Sequence, residues 1–143
     1  MDWSLAWSAA PTLLWESGLK LNLPAAYSHM AWWRDSYFSA YPVGHIGEPT
    51  GTCTAGDVLF RASKRGLHWM TLTDASGNGI ALLENNSPLI ARAQADGQTE
   101  TLLASSGLAG PKDFSYPWVA SHDINAGPGK PLTGTFIIRA IGH

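Results

Sequence analysis

Apolar and polar residues alternate with a period of two along several short segments of the chain. The alternation is plain in residues 19–23, Leu-Lys-Leu-Asn-Leu, and again in residues 67–74. A period of two is typical of a half-buried β-strand, because successive side chains point to opposite faces. Residues 75–79, Ala-Ser-Gly-Asn-Gly, contain residue types that tolerate a positive φ, so they predict a hairpin turn leading into residues 80–83. The two predicted faces of the segment 67–74 are Trp69, Thr71, Thr73 and, opposite them, His68, Met70, Leu72.

Other strand-like segments follow at intervals of about 8–12 residues, with Gly and Pro between them. Residues 8–15 and 87–95 are the two stretches that also fit a helix, but neither carries a full 3.6-residue stripe with caps. The pattern predicts an all-β fold, an antiparallel β-sandwich of the supersandwich or jelly-roll type, formed by residues 1–143 as a single domain. The remaining predicted strands are 27–34, 58–61, 88–94, 99–103 and 134–141, and the predicted turns and loops are 64–66, 97–98, 105–113 and 125–131.

Charge is scarce in this chain of 143 residues, of which only 14% are charged. Nine basic and eleven acidic side chains give a formal net charge of −2. This balance excludes a nucleic-acid binder that relies on neutralising phosphates. Cys53 is the only cysteine, which excludes an intrachain disulfide and a cysteine-based zinc site. No apolar run reaches 18 residues, so we expect no membrane as partner. The charge balance likewise predicts that the partner is not a nucleic acid.

Tryptophan is abundant, with seven residues in the chain. Core packing explains part of this number, because one indole buries about 150–250 Å². Trp32 and Trp33 are adjacent, so on a strand their rings point to opposite faces and one of them can be exposed. An exposed indole with few charges nearby suits a carbohydrate, whose C–H groups stack on the ring while polar side chains bind its hydroxyls.

The densest mixture of aromatic and charged residues begins at Trp33 and continues to Tyr41. Arg34 offers a planar fork of donors and Asp35 accepts two hydrogen bonds, which suits vicinal hydroxyls. A local pair between Arg34 and Asp35 at the end of a strand is the structural alternative. The predicted sugar-binding residues are Trp33, Arg34, Asp35, Tyr37, Tyr41, Trp118 and His122.

Catalytic signals are weak. Ser121, His122 and Asp123 are consecutive, whereas a working triad brings these residue types together from separate segments. No carboxylate pair of a glycosidase can be identified from spacing, and the five histidines contain no i,i+2 or i,i+4 pair. We therefore predict no catalytic residue, no metal site and no cofactor.

The chain resembles the C-terminal, "small chain" β-sandwich region of glycoside hydrolase family 2 β-galactosidases. Residues 18–24, Gly-Leu-Lys-Leu-Asn-Leu-Pro, are similar to an apolar strand of that region. Residues 66–79, with Leu-His-Trp-Met-Thr-Leu-Thr-Asp before Gly-Asn-Gly, are similar to its hairpin. Residues 114–126 and 135–138 are similar to its closing strands. The resemblance covers most of the chain, from about residue 13 to residue 141, in the family's order.

Two departures limit what the resemblance implies. Residues 33–36 lack the family's Gly-x-Gly-Pro-x-Glu, and residues 129–131, Gly-Lys-Pro, stand where the family has Asp-x-x-Trp. The catalytic carboxylates of the family belong to its barrel domain, and its full sandwich is nearly twice as long as this chain. The resemblance therefore implies a non-catalytic carbohydrate-binding or accessory module, either complete or a fragment of a larger glycosidase.

Three hypotheses on function follow. The first is binding of an oligo- or polysaccharide by aromatic stacking. The second is a small glycoside hydrolase or polysaccharide lyase that uses paired carboxylates. The third is a purely structural docking domain, whose partner is a catalytic domain or a second copy of the chain. A secreted or periplasmic location is expected if the chain is part of an exported glycosidase.

Overall fold

The computed structural model describes residues 1–6, 8, 16–35, 47–85, 89–95, 99–108 and 128–142, and these residues are mostly β-strand. The elements are β1 (Asp2–Leu5), β2 (Glu16–Pro24), β3 (His29–Arg34), β4 (Thr50–Thr54), the short helix α1 (Val58–Arg61), β5 (Lys64–Thr73), β6 (Gly79–Leu83), β7 (Leu89–Ala95), β8 (Thr99–Leu108), β9 (Leu132–Thr135) and β10 (Ile137–Ile141).

The pairing of these strands is antiparallel, as predicted. Six strands of the larger sheet follow one another in the order β10-β6-β5-β7-β8-β2, β3 pairs with β5, and β4 pairs with β3. β1 and β9 form a separate two-stranded sheet. The strand order of the described residues does not close into a barrel.

The predicted hairpin is confirmed as β5 and β6, which pair from Trp69 with Leu83 to Thr73 with Gly79. Asp74 organises the turn, because its Oδ1 accepts hydrogen bonds from the backbone N–H groups of Ser76 (2.8 Å) and Asn78 (2.9 Å). These bonds hold the pKa of Asp74 below its ordinary value. Asp74 N–H also donates to the carbonyl of Asn78, and Gly77 supplies a positive φ of 84°.

β5 organises the larger sheet because it has three partners. Its second half lies between β3 and β6, while Lys64 and Leu67 pair with β7. The register shifts between Lys64 and Leu67, where Gly66 has a φ of 64°. The prediction of a turn at residues 64–66 is therefore wrong: the positive φ of the glycine produces a bulge within a continuous strand.

The hydrophobic core is lined by one face of β3, β5 and β6 together with residues of the flanking strands. Leucines of β2 at positions 19, 21 and 23 pack against it, which agrees with the alternation predicted there. Trp32 is the largest core side chain and is 1% exposed. Its indole covers its cross-strand partner Gly51, where an added Cβ would lie 2.3 Å from Trp32 Cζ2. The other fully buried large side chains include Met30, Phe60, Lys64, Leu67, Met70, Leu72 and Leu82.

Residues 58–61 form α1 and not the predicted strand. Val58 is 82% exposed whereas Phe60 is fully buried, and Phe60 N–H donates to the carbonyl of Asp57. One helical turn between β4 and β5 suffices to insert Phe60 into the core. Four residues are too few for their pattern to distinguish a strand from a helical turn.

The other strand boundaries also differ from the predictions at several points. The segment 134–141 is divided at Phe136, whose buried side chain separates β9 from β10. Residues 105–108 extend β8 and do not begin a loop, whereas β7 (Leu89–Ala95) confirms the predicted strand 88–94. β4 was not predicted, because its Thr-Gly-Thr-Cys-Thr sequence contains a glycine and few apolar residues. The predicted turn 97–98 lies outside the described residues, as do residues 109–113 of the predicted loop 105–113 and residues 125–127 of the predicted loop 125–131.

Lys64 is fully buried at the junction of α1 and β5. Its ammonium group donates to the carbonyls of Leu59 and Ala62, the latter at 3.0 Å. It also lies 4.7 Å from the centroid of the Trp32 ring, within the range of a cation–π interaction. Burial lowers the pKa of Lys64 from 10.5 to about 8, and burial raises the pKa of the neighbouring Cys53 thiol.

This lowered pKa predicts a stability that increases with pH. Between about pH 8 and pH 10.5, Lys64 is neutral in the folded protein and still protonated in the unfolded chain. The unfolded state then binds more protons, so the free energy of unfolding rises with pH, by at most about 3 kcal/mol. Urea unfolding at pH values from 7 to 10 measures this rise.

The control for this measurement is Lys64→Met, which keeps the length of the side chain and removes the titrating group. The other ionisable groups are common to both proteins, so the difference between the two curves reports Lys64 together with its electrostatic interaction with Cys53. Parallel curves for the parent and the variant would contradict the assignment.

Candidate functional site

The outward face of β4, β3, β5 and β6 presents three rows of directly paired residues. Residues paired in an antiparallel sheet point to the same face and lie about 5 Å apart. The rows are Thr50–Trp33–Trp69–Leu83, Thr52–Ala31–Thr71–Ala81 and Thr54–His29–Thr73–Gly79.

The first row carries the exposed aromatic surface. Trp33 is 46% exposed whereas its neighbour Trp32 is 1% exposed, which confirms the prediction that the two adjacent rings point to opposite faces. Trp69 is half-buried and is directly paired with Trp33. The indole of Trp33 thus offers a large accessible area.

A β-bulge brings His68 to the same surface. The register of β3 against β5 shifts between Trp33 and Arg34, so that Arg34 pairs with Leu67. The centroid of the His68 ring lies 4.3 Å from that of the Trp33 ring, with an angle of 42° between the planes. The prediction that His68 shares the buried face of Met70 and Leu72 is wrong, because the extra residue reverses the alternation at this point.

His68 is held between two carboxylates from different segments. Its Nδ1 lies 2.8 Å from Oε2 of Glu84 and its Nε2 lies 3.0 Å from Oδ1 of Asp35. Asp35 directly follows β3 and Glu84 directly follows β6, so the ring of His68, which lies within β5, links the ends of the two neighbouring strands. Because a carboxylate oxygen only accepts, both bonds form when both ring nitrogens carry a proton. The hydrogen bond to Glu84, with a further contribution from Asp35, raises the pKa of His68.

This arrangement, the Trp33 cluster, comprises Trp33, Asp35, His68, Trp69 and Glu84. It combines an accessible indole with an imidazole and two carboxylates, of which the Asp35 side chain is 78% exposed. Such groups bind a ligand with apolar C–H surfaces and hydroxyl donors.

Of the seven predicted sugar-binding residues, the structure places Trp33 and Asp35 in this cluster. Arg34 lies between them in sequence, and its Nε donates to the carbonyl of Glu48 at 3.1 Å. Asp35 pairs with His68. The other predicted residues lie outside the described residues: Tyr37, Tyr41, Trp118 and His122.

Sequence reasoning missed His68, Trp69 and Glu84. The signal for Trp69 was its alternation with Thr71 and Thr73, which places the three on one face. Nothing in the local pattern indicated the bulge, so His68 was assigned to the wrong face and its bond to Glu84 was not foreseen.

A shallow hollow of about 480 Å³ occupies the other two rows of the same face. Threonines at positions 52, 54, 71 and 73 line it together with His29, Ala31 and Asp57. The Asp57 carboxylate accepts a hydrogen bond from the Thr54 N–H at 3.1 Å. Met30 and Cys53 also line it, so the hollow combines hydroxyl groups with apolar side chains.

Two further kinds of site were sought in the described part of the chain. Its His, Cys, Asp and Glu residues form no group of three suited to a metal ion. None of its helices is long and apolar enough to span a membrane.

Neither a scan against protein-family models nor a search of curated proteins finds a match. The resemblance to the family 2 β-galactosidases therefore stays a prediction from the sequence.

Proposed function

We propose that the protein is a non-catalytic carbohydrate-binding module and that the Trp33 cluster is its binding site. The observation that carries the proposal is the exposure of the Trp33 indole beside the carboxylates of Asp35 and Glu84. The ring provides a flat apolar surface for the C–H groups of a pyranose. The two carboxylates accept hydrogen bonds from its hydroxyl groups.

The geometry of the two carboxylates favours binding over hydrolysis. A glycosidase places its two carboxyl groups on either side of the scissile bond, with space for the substrate between them. Here the imidazole of His68 lies between Asp35 and Glu84 and bonds to both. The imidazole ring occupies the position that the sugar would need in a glycosidase. Asp35 and Glu84 can therefore bind a sugar at the outer edge of the cluster but cannot enclose its glycosidic bond.

We also propose that the strands form a two-layer sandwich of the kind found in the C-terminal region of family 2 β-galactosidases. The bulge in β5 supports this, because it lets one strand pair with β7 before it and with β3 and β6 after it. Leucines of β2 and residues of β3 contribute to one core, as facing layers would. The β5–β6 hairpin coincides with one of the segments that resemble the family. The proposal includes strand connections of the jelly-roll type between the two layers.

Replacing Trp33 with alanine tests the binding site. We expect the variant to lose at least about tenfold in affinity for the glycan that the parent protein binds, which is about 1.4 kcal/mol, because the stacking surface is removed. Isothermal titration and tryptophan fluorescence against β-glucans, xylan and galactans measure the affinity.

The matched control is Leu5→Ala, which truncates an exposed apolar side chain on the two-stranded sheet and should leave the affinity unchanged. If the parent protein binds none of these glycans, the proposal fails. Concentration-dependent association in sedimentation, without glycan affinity, would instead favour the docking domain.

A further inference from the structure

The hollow on the outward face is continuous with the Trp33 cluster, because both lie on the same side of β3. Trp33, Ala31 and His29 alternate along this strand and point to one face. At about 3.3 Å per residue, the four steps from Trp33 to His29 span about 13 Å. The face is therefore longer than a single sugar ring.

Residues in the middle of this face leave it unobstructed. Ala31 is half-buried and carries only a methyl group, and its cross-strand partners are Thr52 and Thr71. A ligand that leaves Trp33 along β3 thus crosses a small side chain flanked by two hydroxyl groups. These three residues belong to the lining of the hollow of about 480 Å³, so the ligand enters the hollow there.

The chemistry of the hollow differs from that of the Trp33 cluster. Its threonine hydroxyls donate and accept hydrogen bonds, and the Asp57 carboxylate stands at its edge. Such groups match the hydroxyls and ring oxygen of a sugar, and the apolar atoms of the same lining can contact its C–H groups. Thr133 lies on β9 in the separate two-stranded sheet and is not part of this face, so its hydroxyl serves as a control for the threonines of the hollow.

We propose that the hollow is a second sugar subsite, so that the ligand of this protein is a linear oligosaccharide lying along β3 from Trp33 to His29. This inference rests on the proposed carbohydrate-binding function. It adds that the protein binds the interior of a polysaccharide chain, with one unit stacked on Trp33 and the following units over the threonines.

The test compares single sugars, as methyl glycosides, with tetrasaccharides of the cello-, xylo- and galacto- series, using the full chain. The double variant Thr52→Val/Thr71→Val keeps the shape of both side chains and removes their hydroxyls. We expect it to weaken tetrasaccharide binding about tenfold, since each lost hydrogen bond weakens binding by about three- to tenfold, and to leave binding of the single sugar unchanged. Thr52→Ser/Thr71→Ser should restore tetrasaccharide binding, and Thr133→Val should change neither affinity.

The outcomes separate the two proposals. If the parent protein binds neither sugar length, the carbohydrate-binding function itself fails, and this inference with it. If binding depends on Trp33 but the valine variant binds both lengths as the parent does, only the second subsite is overturned. Equal weakening of single-sugar and tetrasaccharide binding would also overturn it. The midpoint of thermal unfolding of each variant shows that the fold is retained.

Discussion

Alanine at position 79 is expected to destabilise the protein by about 4 kcal/mol, a large fraction of the stability of an ordinary domain. A Cβ at this position would lie 2.0 Å from the carbonyl oxygen of Leu72 and 2.7 Å from the Cα of Thr73. Both atoms belong to the backbone of β5, so no change of rotamer relieves the overlap. The φ of Gly79 is not positive, so the restriction is one of space. Urea unfolding followed by tryptophan fluorescence measures the loss.

Gly56→Ala is the matched control for this substitution. No heavy atom lies within 4 Å of a Cβ built at Gly56, and its φ is not positive. We expect its free energy of unfolding to stay within about 0.5 kcal/mol of the parent value. If alanine at 79 were tolerated as well as alanine at 56, the close approach of β6 to β5 would be contradicted.

Alanine substitution of the two adjacent tryptophans of β3 should reduce the stability of the protein to very different extents. Trp32→Ala should cost about 3–5 kcal/mol of stability, because it removes the largest core side chain and leaves a cavity. It also removes the ring over which the Lys64 ammonium lies. Trp33→Ala should cost about 1 kcal/mol or less of stability, since this ring is 46% exposed and packs against the half-buried ring of His68.

Chemical denaturation of both variants tests the orientation of β3 directly. A shift of one residue in the register would exchange the core and outward faces of the strand. The two stability losses would then be reversed, with Trp33→Ala the more damaging. Circular dichroism at a low denaturant concentration verifies that each variant begins from a folded state.

Elements with strict alternation could be predicted from the sequence. Residues 19–23 and 67–83 became β2 and the β5–β6 hairpin, because each has one apolar face and a clear turn or proline at its end. β4 and α1 could not be predicted, since they are short and their burial depends on the strands beside them. The conformation of both elements is determined by their packing against strands that are distant in the sequence.

The candidate site was predictable only in part for the same reason. The exposure of Trp33 follows from the burial of Trp32 on the opposite face. The link from Asp35 through His68 to Glu84 joins residues that are 33 and 16 positions apart in the chain. It depends on a bulge, whose position is fixed by the pairing of β3 with β5 and by no local sequence signal.

The contact of the Trp32 indole with Gly51 makes these two cross-strand positions interdependent. Any side chain at position 51 would meet the ring, so one position sets the size allowed at the other. In an alignment of related sequences the two columns should covary, with residues larger than glycine at 51 accompanied by a smaller side chain at 32. A library that randomises both positions together should recover such compensated pairs, which neither position would yield when varied alone.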